Sequence, residues 1–210
     1  MNAIRTKICG ITSIEDAQVA IAAGADAIGL VFYAVSPRAV TIDQAKAIAL
    51  SVGPFVTVTG LFVDADEAFI RNVLSQVSLH VLQFHGDESP DYCNRFQRPY
   101  MKAIRMRPDL DVDAEIQRYP NAVGVLLDAY RAGVPGGTGE TFDWQRVPKK
   151  SLKPIVLAGG LTPENVALAI SSTRVYGVDV SGGVESAPGK KDAQKVKNFI
   201  HNARYSAITV

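Results

Sequence analysis

Residues 154–183 read PIVLAGGLTPENVALAISSTRVYGVDVSGG, and the order of signals in this stretch decides the fold. A short β-rich run, Pro154–Ala158, ends in Gly159-Gly160. Thr162-Pro163 then opens an amphipathic segment over Glu164–Ile170, and a second β-rich run follows at Val175–Val180. Proline at the first helical position sacrifices no hydrogen bond, because that N–H has no partner inside the helix. Neither run alternates strictly between polar and apolar residues, which suits strands covered on both faces in a parallel sheet. The unit is strand, turn, helix, strand.

Working outward, the same unit recurs. Further β-rich runs lie at Ile4–Cys9, Ala27–Phe32, Phe55–Phe62, Val81–Phe84, Tyr100–Ile104 and Ala122–Leu127, making eight in all. Helical signals fall between them. Ser13 or Thr12 caps a helix from Ile14, with Glu15 and Asp16 favourable to its first turn and Gly24 past its end. Thr41 with Gln44 resembles a capping box before Ala45–Leu50. Asp64 precedes a pattern over Glu67–Val77, Ser89-Pro90 opens another, and Lys190–Ala203 closes the chain. The helices after the fifth and sixth runs carry weaker signals, since Asp109–Tyr119 is short and Arg131–Gly139 is loop-like. Eight strand–helix units without a composition break predict one (β/α)8 TIM barrel of eight parallel strands over residues 1–210. A doubly wound open sheet would prefer fewer strands and a Gly-rich nucleotide turn after the first, which Cys9-Gly10-Ile11-Thr12 is not.

The bulk numbers narrow the function. A formal net charge of +1 argues against a polyanion-binding surface. The nearest thing to a basic stripe, Lys190, Lys191, Lys195 and Lys197, reads as a solvated helix face. Two cysteines make no disulfide framework, and no Cys/His spacing suggests zinc, so neither metal nor cofactor is expected. The longest uncharged stretch, Ala47–Val63, is broken by polar residues, Gly53, Pro54 and Gly60, and falls short of the roughly 20 apolar residues of a membrane helix. The N-terminus lacks a signal pattern. A soluble, cytoplasmic protein acting on a small molecule, as a monomer or small homo-oligomer, is the expectation.

In such barrels the active site lies at the carboxyl ends of the strands. The first run ends at Cys9, the fourth at Gln83-Phe84-His85, the sixth at Asp128, the seventh at Gly159-Gly160, and the eighth at Asp179-Val180-Ser181-Gly182-Gly183; Arg38 sits in the loop after the second. Reactive types gather at one rim while strand middles are apolar. Glycine allows close backbone approach, and barrels often hold a substrate phosphate between the loops after strands seven and eight. Gly159, Gly160, Ser181, Gly182 and Gly183 are therefore the candidate phosphate site.

Cys9 follows Lys7 by two positions, so both side chains face the same way. A buried ammonium beneath the thiol would lower its pKa from about 8.5. From position alone, a reactive thiol and a small cysteine packed as a hydrophobe remain equally open. Asp128 closes the apolar run Val125-Leu126-Leu127, where a carboxyl must be partnered, solvated or functional; kept protonated by apolar surroundings, it would be a general acid. Lys7, Arg38, Gln83, His85 and Asp179 are the candidates for holding the rest of a substrate, Arg38 by a fork-like grip on a carboxylate. Tyr130 and Trp144 read as packing residues, and the Gly-rich loop Tyr130–Phe142 as a mobile lid.

Lys7-Ile8-Cys9-Gly10-Ile11-Thr12 begins an ordered set of segments that resembles the phosphoribosylanthranilate isomerase family of tryptophan biosynthesis. The set continues through Phe32-Tyr33-Ala34-Val35-Ser36-Pro37-Arg38, Leu82-Gln83-Phe84-His85-Gly86 and Leu127-Asp128. It ends through Gly136-Gly137-Thr138-Gly139, Leu157-Ala158-Gly159-Gly160-Leu161 and Val178-Asp179-Val180-Ser181-Gly182-Gly183-Val184-Glu185. Each segment is weak alone; the order is specific. The resemblance implies an Amadori rearrangement, with Cys9 at the family's base position, Asp128 at its acid position and Arg38 at the arginine that contacts the anthranilate carboxylate. It also places the phosphate on the two glycine segments. Phe84 departs from the aliphatic residue expected there, which bears on pocket shape. Another sugar-phosphate barrel chemistry, such as pentulose-phosphate epimerisation or indole-glycerol-phosphate formation, and a non-catalytic phosphosugar-binding protein are the competing readings.

Overall fold

In the computed structural model, which describes residues 4–129 and 141–205, eight parallel strands close into a barrel in sequence order. They are β1 (Arg5–Cys9), β2 (Ala27–Val31), β3 (Thr57–Phe62), β4 (Val81–Phe84), β5 (Tyr100–Arg105), β6 (Gly124–Asp128), β7 (Ile155–Leu157) and β8 (Gly177–Val180). Closure comes from β8 pairing back onto β1, with Lys7 opposite Asp179 and Ile8 opposite Val180. Each β-rich run of the sequence coincides with one strand to within two residues at either end, and β5 and β6 extend one residue past their runs, to Arg105 and Asp128.

Helices α1 (Ile14–Ala23), α2 (Ile42–Ser51), α3 (Glu67–Gln76), α4 (Pro90–Cys93), α5 (Val112–Gln117), α6 (Val166–Thr173) and α7 (Ala193–Tyr205) return the chain along the outside. The capping signals translate directly. The Ser13 side chain accepts from the Asp16 N–H and Gly24 ends α1 in the left-handed region. Thr41 and Gln44 form the reciprocal capping box of α2. One helix departs from expectation. Thr162-Pro163 belongs to a turn, and α6 starts three residues later than Pro163, because the Asn165 side chain accepts from the Thr162 N–H and donates to the Gly160 carbonyl. Between β6 and β7, the loop-like segment Arg131–Gly139 lies outside the described residues, and a short 3-10 turn is described at Trp144–Arg146.

A second departure is near the end of the chain. Lys190–Lys191 is not helical: it forms β10, antiparallel to β9 (Glu185–Ala187), around Pro188-Gly189. Lys191 is buried, so the solvated lysine stripe loses this member. A hairpin turn at Pro-Gly with two short flanks is the signal that favours this pairing over a helix.

Period-two alternation divides the strands between two environments. Outward residues such as Ile8, Ile28, Leu82, Leu127 and Val178 join the large apolar layer beneath the helices. Phe84 is among them: its ring packs against Tyr92, Phe96 and Tyr100, away from the barrel interior, so it has no part in shaping a pocket there. Inside, Met101, Ala103, Leu126 and Ala158 form one small apolar cluster and Cys9, Val31 and Leu61 another. Among the described residues, no helix is long and apolar enough to cross a membrane. The expected lid, with Tyr130 and the segment Gly136-Gly137-Thr138-Gly139, lies outside the described residues except for its last two positions.

Candidate active site

The carboxyl ends of the strands surround a cavity of about 670 Å3, whose wall includes Cys9, Arg38, Gln83, His85, Asp128 and Asp179. Gly159, Gly160, Ser181, Gly182 and Gly183 line it as well. A second hollow, of about 610 Å3, sits by the amino ends of β7 and β8, lined by residues such as Lys149, Ser151 and Arg174. It brings together no thiol and carboxyl, so the chemistry points to the mouth.

Cys9 reaches the cavity from the end of β1 and is nearly buried. Its register partner on β2 is Gly29. A Cβ at that glycine would stand 2.7 Å from the thiol sulfur and 3.1 Å from the Lys7 ammonium, so the missing side chain is what makes room for both. Lys7 lies beneath the thiol, outside the cavity wall, and its Nζ donates to Asp179 Oδ1 at 2.9 Å with both side chains buried. Burial alone would lower Lys7, but Asp179 and Cys9 together outweigh it and the ammonium is held charged.

This pairing corrects the expected tuning of the thiol. Burial pushes the Cys9 pKa up from its ordinary value; Lys7 and Lys191 pull it down, and Asp179 pushes it up again. The net shift is upward, because the burial of the thiolate outweighs the pull of the two lysines, which Asp179 partly opposes.

Asp128 enters from β6, which is three staves from β1 through β7 and β8 and five the other way. Its Oδ1 accepts from the Ala129 N–H at 2.9 Å, and its Oδ2 lies 3.0 Å from His85 Nε2. The other ring nitrogen, Nδ1, is 2.9 Å from Gln83 Nε2. Gln83 is fully buried and its Oε1 has no hydrogen-bond partner among the described residues. A proton on His85 Nε2 serves an ionised Asp128. A proton on Asp128 instead requires an acceptor at Nε2, and the Gln83 amide, turned over, then accepts from Nδ1–H. Both ring nitrogens are thus engaged within the protein, and Gln83 and His85 line the cavity as a buttress behind Asp128.

Loops seven and eight meet at the glycines. A Cβ on Gly183 would overlap the carbonyl oxygen of Leu161, so only glycine lets these backbones touch. The N–H groups of Gly160, Gly182 and Gly183 take no acceptor among the described residues. Such donors at a shared rim suit an anion.

Arg38 does grip a carboxylate, but the protein's own: Nε and Nη2 donate to Glu185 at 2.7 and 2.8 Å. Lys191 Nζ donates to the same Glu185 at 2.9 Å and to the Ser181 carbonyl at 3.2 Å. Among the described residues, no group of three or more His, Cys, Asp or Glu is placed to hold a metal ion.

The sequence model of the N-(5'-phosphoribosyl)anthranilate (PRA) isomerase family matches residues 6–202. The chain belongs to this family. The PRA isomerase of Cellvibrio japonicus is 68% identical over 200 residues, spanning 95% of this chain and 93% of that protein. The crystal structure of the Thermotoga maritima PRA isomerase superposes with a TM-score of 0.85 at 39% identity, covering 96% of this chain and 99% of that one. A further PRA isomerase structure, solved in complex with reduced 1-(o-carboxyphenylamino)-1-deoxyribulose 5-phosphate, gives 0.83 at 37% identity, with coverage of 96% and 99%.

Two residues of this PRA isomerase site escaped the sequence reading. Glu185 closes the segment Val178–Glu185 with nothing local to mark a role, and the spacing of Lys191 with Lys190, Lys195 and Lys197 predicts a solvated face. Neither has a local signature; each is defined by a partner in another loop.

Proposed function

We propose that this chain isomerises N-(5'-phosphoribosyl)anthranilate to 1-(2-carboxyphenylamino)-1-deoxyribulose 5-phosphate, a step of tryptophan biosynthesis, with Cys9 as general base and Asp128 as general acid. One observation carries the assignment of roles: a thiol and a carboxyl from well-separated strands line one cavity, beside facing glycine loops.

The rearrangement needs two proton transfers on a sugar whose ends are anchored. Protonated Asp128 gives its proton to the furanose ring oxygen as the amine lone pair breaks the C1'–O bond, leaving an open-chain iminium. Cys9 thiolate then removes the proton from C2', which the adjacent iminium has made acidic. The resulting enolamine ketonises, gaining a proton at C1' and losing one from the C2' hydroxyl, so the product is an isomer of the substrate. The Gly160, Gly182 and Gly183 N–H groups hold the phosphate, Arg38 meets the anthranilate carboxylate, and Asp179 is available to the sugar hydroxyls. Gln83 and His85 orient Asp128 and adapt their protons to its ionisation. Each positioned acid or base typically contributes about 10²–10⁴ in rate.

The deciding experiment incubates the protein with freshly prepared PRA and follows the loss of substrate fluorescence. Wild-type protein turns over, while Cys9→Ala and Asp128→Ala each lose about 10²–10⁴ of that rate with unchanged circular dichroism. Wild-type turnover by either variant removes that residue from its role. Ligand binding without turnover by the wild type would make the chain a binding protein.

A further inference from the structure

Arg38 and Glu185 come from the loops after β2 and β8, 147 residues apart, and bind each other along a single edge of the guanidinium. A guanidinium carries five N–H donors in one plane. Glu185 takes one at Nε and one at Nη2, which leaves the end formed by Nη1 and Nη2 unspent in that pair. Arg38 is held from its flank as well: a Cβ on Gly10 would strike its Cδ at 2.6 Å, and one on Gly182 would approach Nη2 to 3.2 Å. Behind Glu185 stands Lys191, wholly buried and bonded to the same carboxylate. Glu185 is accordingly held well on the ionised side: burial works against its charge, and Arg38 and Lys191 overcome it.

We propose that Glu185, anchored by Lys191, is a positioning and specificity-determining residue that fixes Arg38 edge-on, so that its unspent N–H pair receives the carboxylate on the substrate's aromatic ring. The inference rests on the reading of Arg38 as the carboxylate contact. Its physical basis is twofold. An unpinned arginine must lose rotamer freedom on binding, and a pinned one has lost it already. Two cations around one carboxylate leave the cluster with a net positive charge, so a second carboxylate is received without facing Glu185 alone. Glu185 stays in place when ligand binds, because leaving would strip a buried carboxylate of its strongest partner.

The test measures inhibition constants of reduced 1-(o-carboxyphenylamino)-1-deoxyribulose 5-phosphate and of its counterpart lacking the ring carboxylate. Wild type is compared with Glu185→Gln and Arg38→Met, alongside KM and kcat for PRA. Glu185→Gln weakens the carboxylated analogue about tenfold, the scale of a lost charge-assisted hydrogen bond, leaves the other analogue unchanged, and shows its loss in KM rather than kcat. Equal weakening of both analogues, or of neither, overturns the proposal. If Arg38→Met fails to discriminate the analogues, the reading of Arg38 itself falls; if it discriminates and Glu185→Gln does not, only the role of Glu185 falls. A wild-type measurement needs no folded variant of Glu185. The Arg38 Nε–H resonance, assigned by its loss in Arg38→Met, stays protected from solvent exchange when the carboxylated analogue saturates the protein. Its exposure on saturation means that Glu185 is displaced, and refutes the proposal.

Discussion

Lys7 and Asp179 face each other across the seam that closes the barrel, where β1 meets β8, and their side chains join inside it at 2.9 Å. The pair sits directly under Cys9 and determines how much of the lysine's charge the thiol feels. In Lys7→Met the thiolate loses its nearest cation and keeps the Asp179 carboxylate, so alkylation of Cys9 slows near neutral pH. An unchanged alkylation rate removes Lys7 from thiol control. In the wild type, burial has already raised the thiol, and raising a base's pKa shrinks its deprotonated fraction at a given pH. The limb of kcat/KM that reports the base therefore still climbs with pH above the ordinary thiol value of about 8.5. A plateau reached on the acidic side of that value contradicts Cys9 as the titrating base.

Gly29→Ala tests the space in which that thiol works. The new methyl lies 2.7 Å from the thiol sulfur, and something in the packed interior must shift. Misplacing a reacting group by an ångström costs about 10² in rate, so kcat for PRA falls by that order while the thermal transition remains cooperative. Retention of wild-type kcat would mean the sulfur has slack.

His85→Ala removes the partner 3.0 Å from Asp128. Hydrogen bonds to charged groups contribute about 1.5–3 kcal/mol, and kcat is expected to fall by the corresponding one to two powers of ten with KM little changed. A rise in KM at constant kcat would instead make His85 a substrate contact, as its position in the sequence first suggested.

Lys102 and Glu88 form a buried ion pair at 2.9 Å on the helix side of β5, where the lysine also reaches the Gly86 carbonyl. Glu88 in turn accepts from the Asp64 and Gly86 N–H groups, fastening the turn that follows His85. Lys102→Met strands the carboxylate in the interior, and urea unfolding should show a loss of about 3–5 kcal/mol. Glu88→Gln combined with Lys102→Met should recover part of it, since no buried charge is then left alone. A single variant as stable as wild type would show that solvent reaches the pair.

Strand positions, five of the seven helices and the reactive rim were legible because each has a local cause. The Thr41–Gln44 capping box, the Ser13 cap and the Gly24 stop are hydrogen bonds or backbone conformations within a few residues. The late start of α6 was missed because two local signals compete: proline at a first helical position and an asparagine side chain satisfying the turn before it. Lys191 was misplaced because helical spacing among lysines looks the same whether one of them turns inward or not.

The order of residues alone determined an eight-fold strand–helix repeat and which side chains stand at strand ends, since periodicity and turn chemistry act over a few positions. Folding decided what those side chains face. Closure of β8 onto β1 pairs Lys7 with Asp179, the β2 and β8 loops join Arg38 to Glu185, and Gln83 stands behind His85 and Asp128. Those encounters set charge, and charge is a sum over neighbours in space: burial raises the Cys9 thiol, Lys7 pulls it back, and an aspartate 172 residues from that lysine opposes the pull.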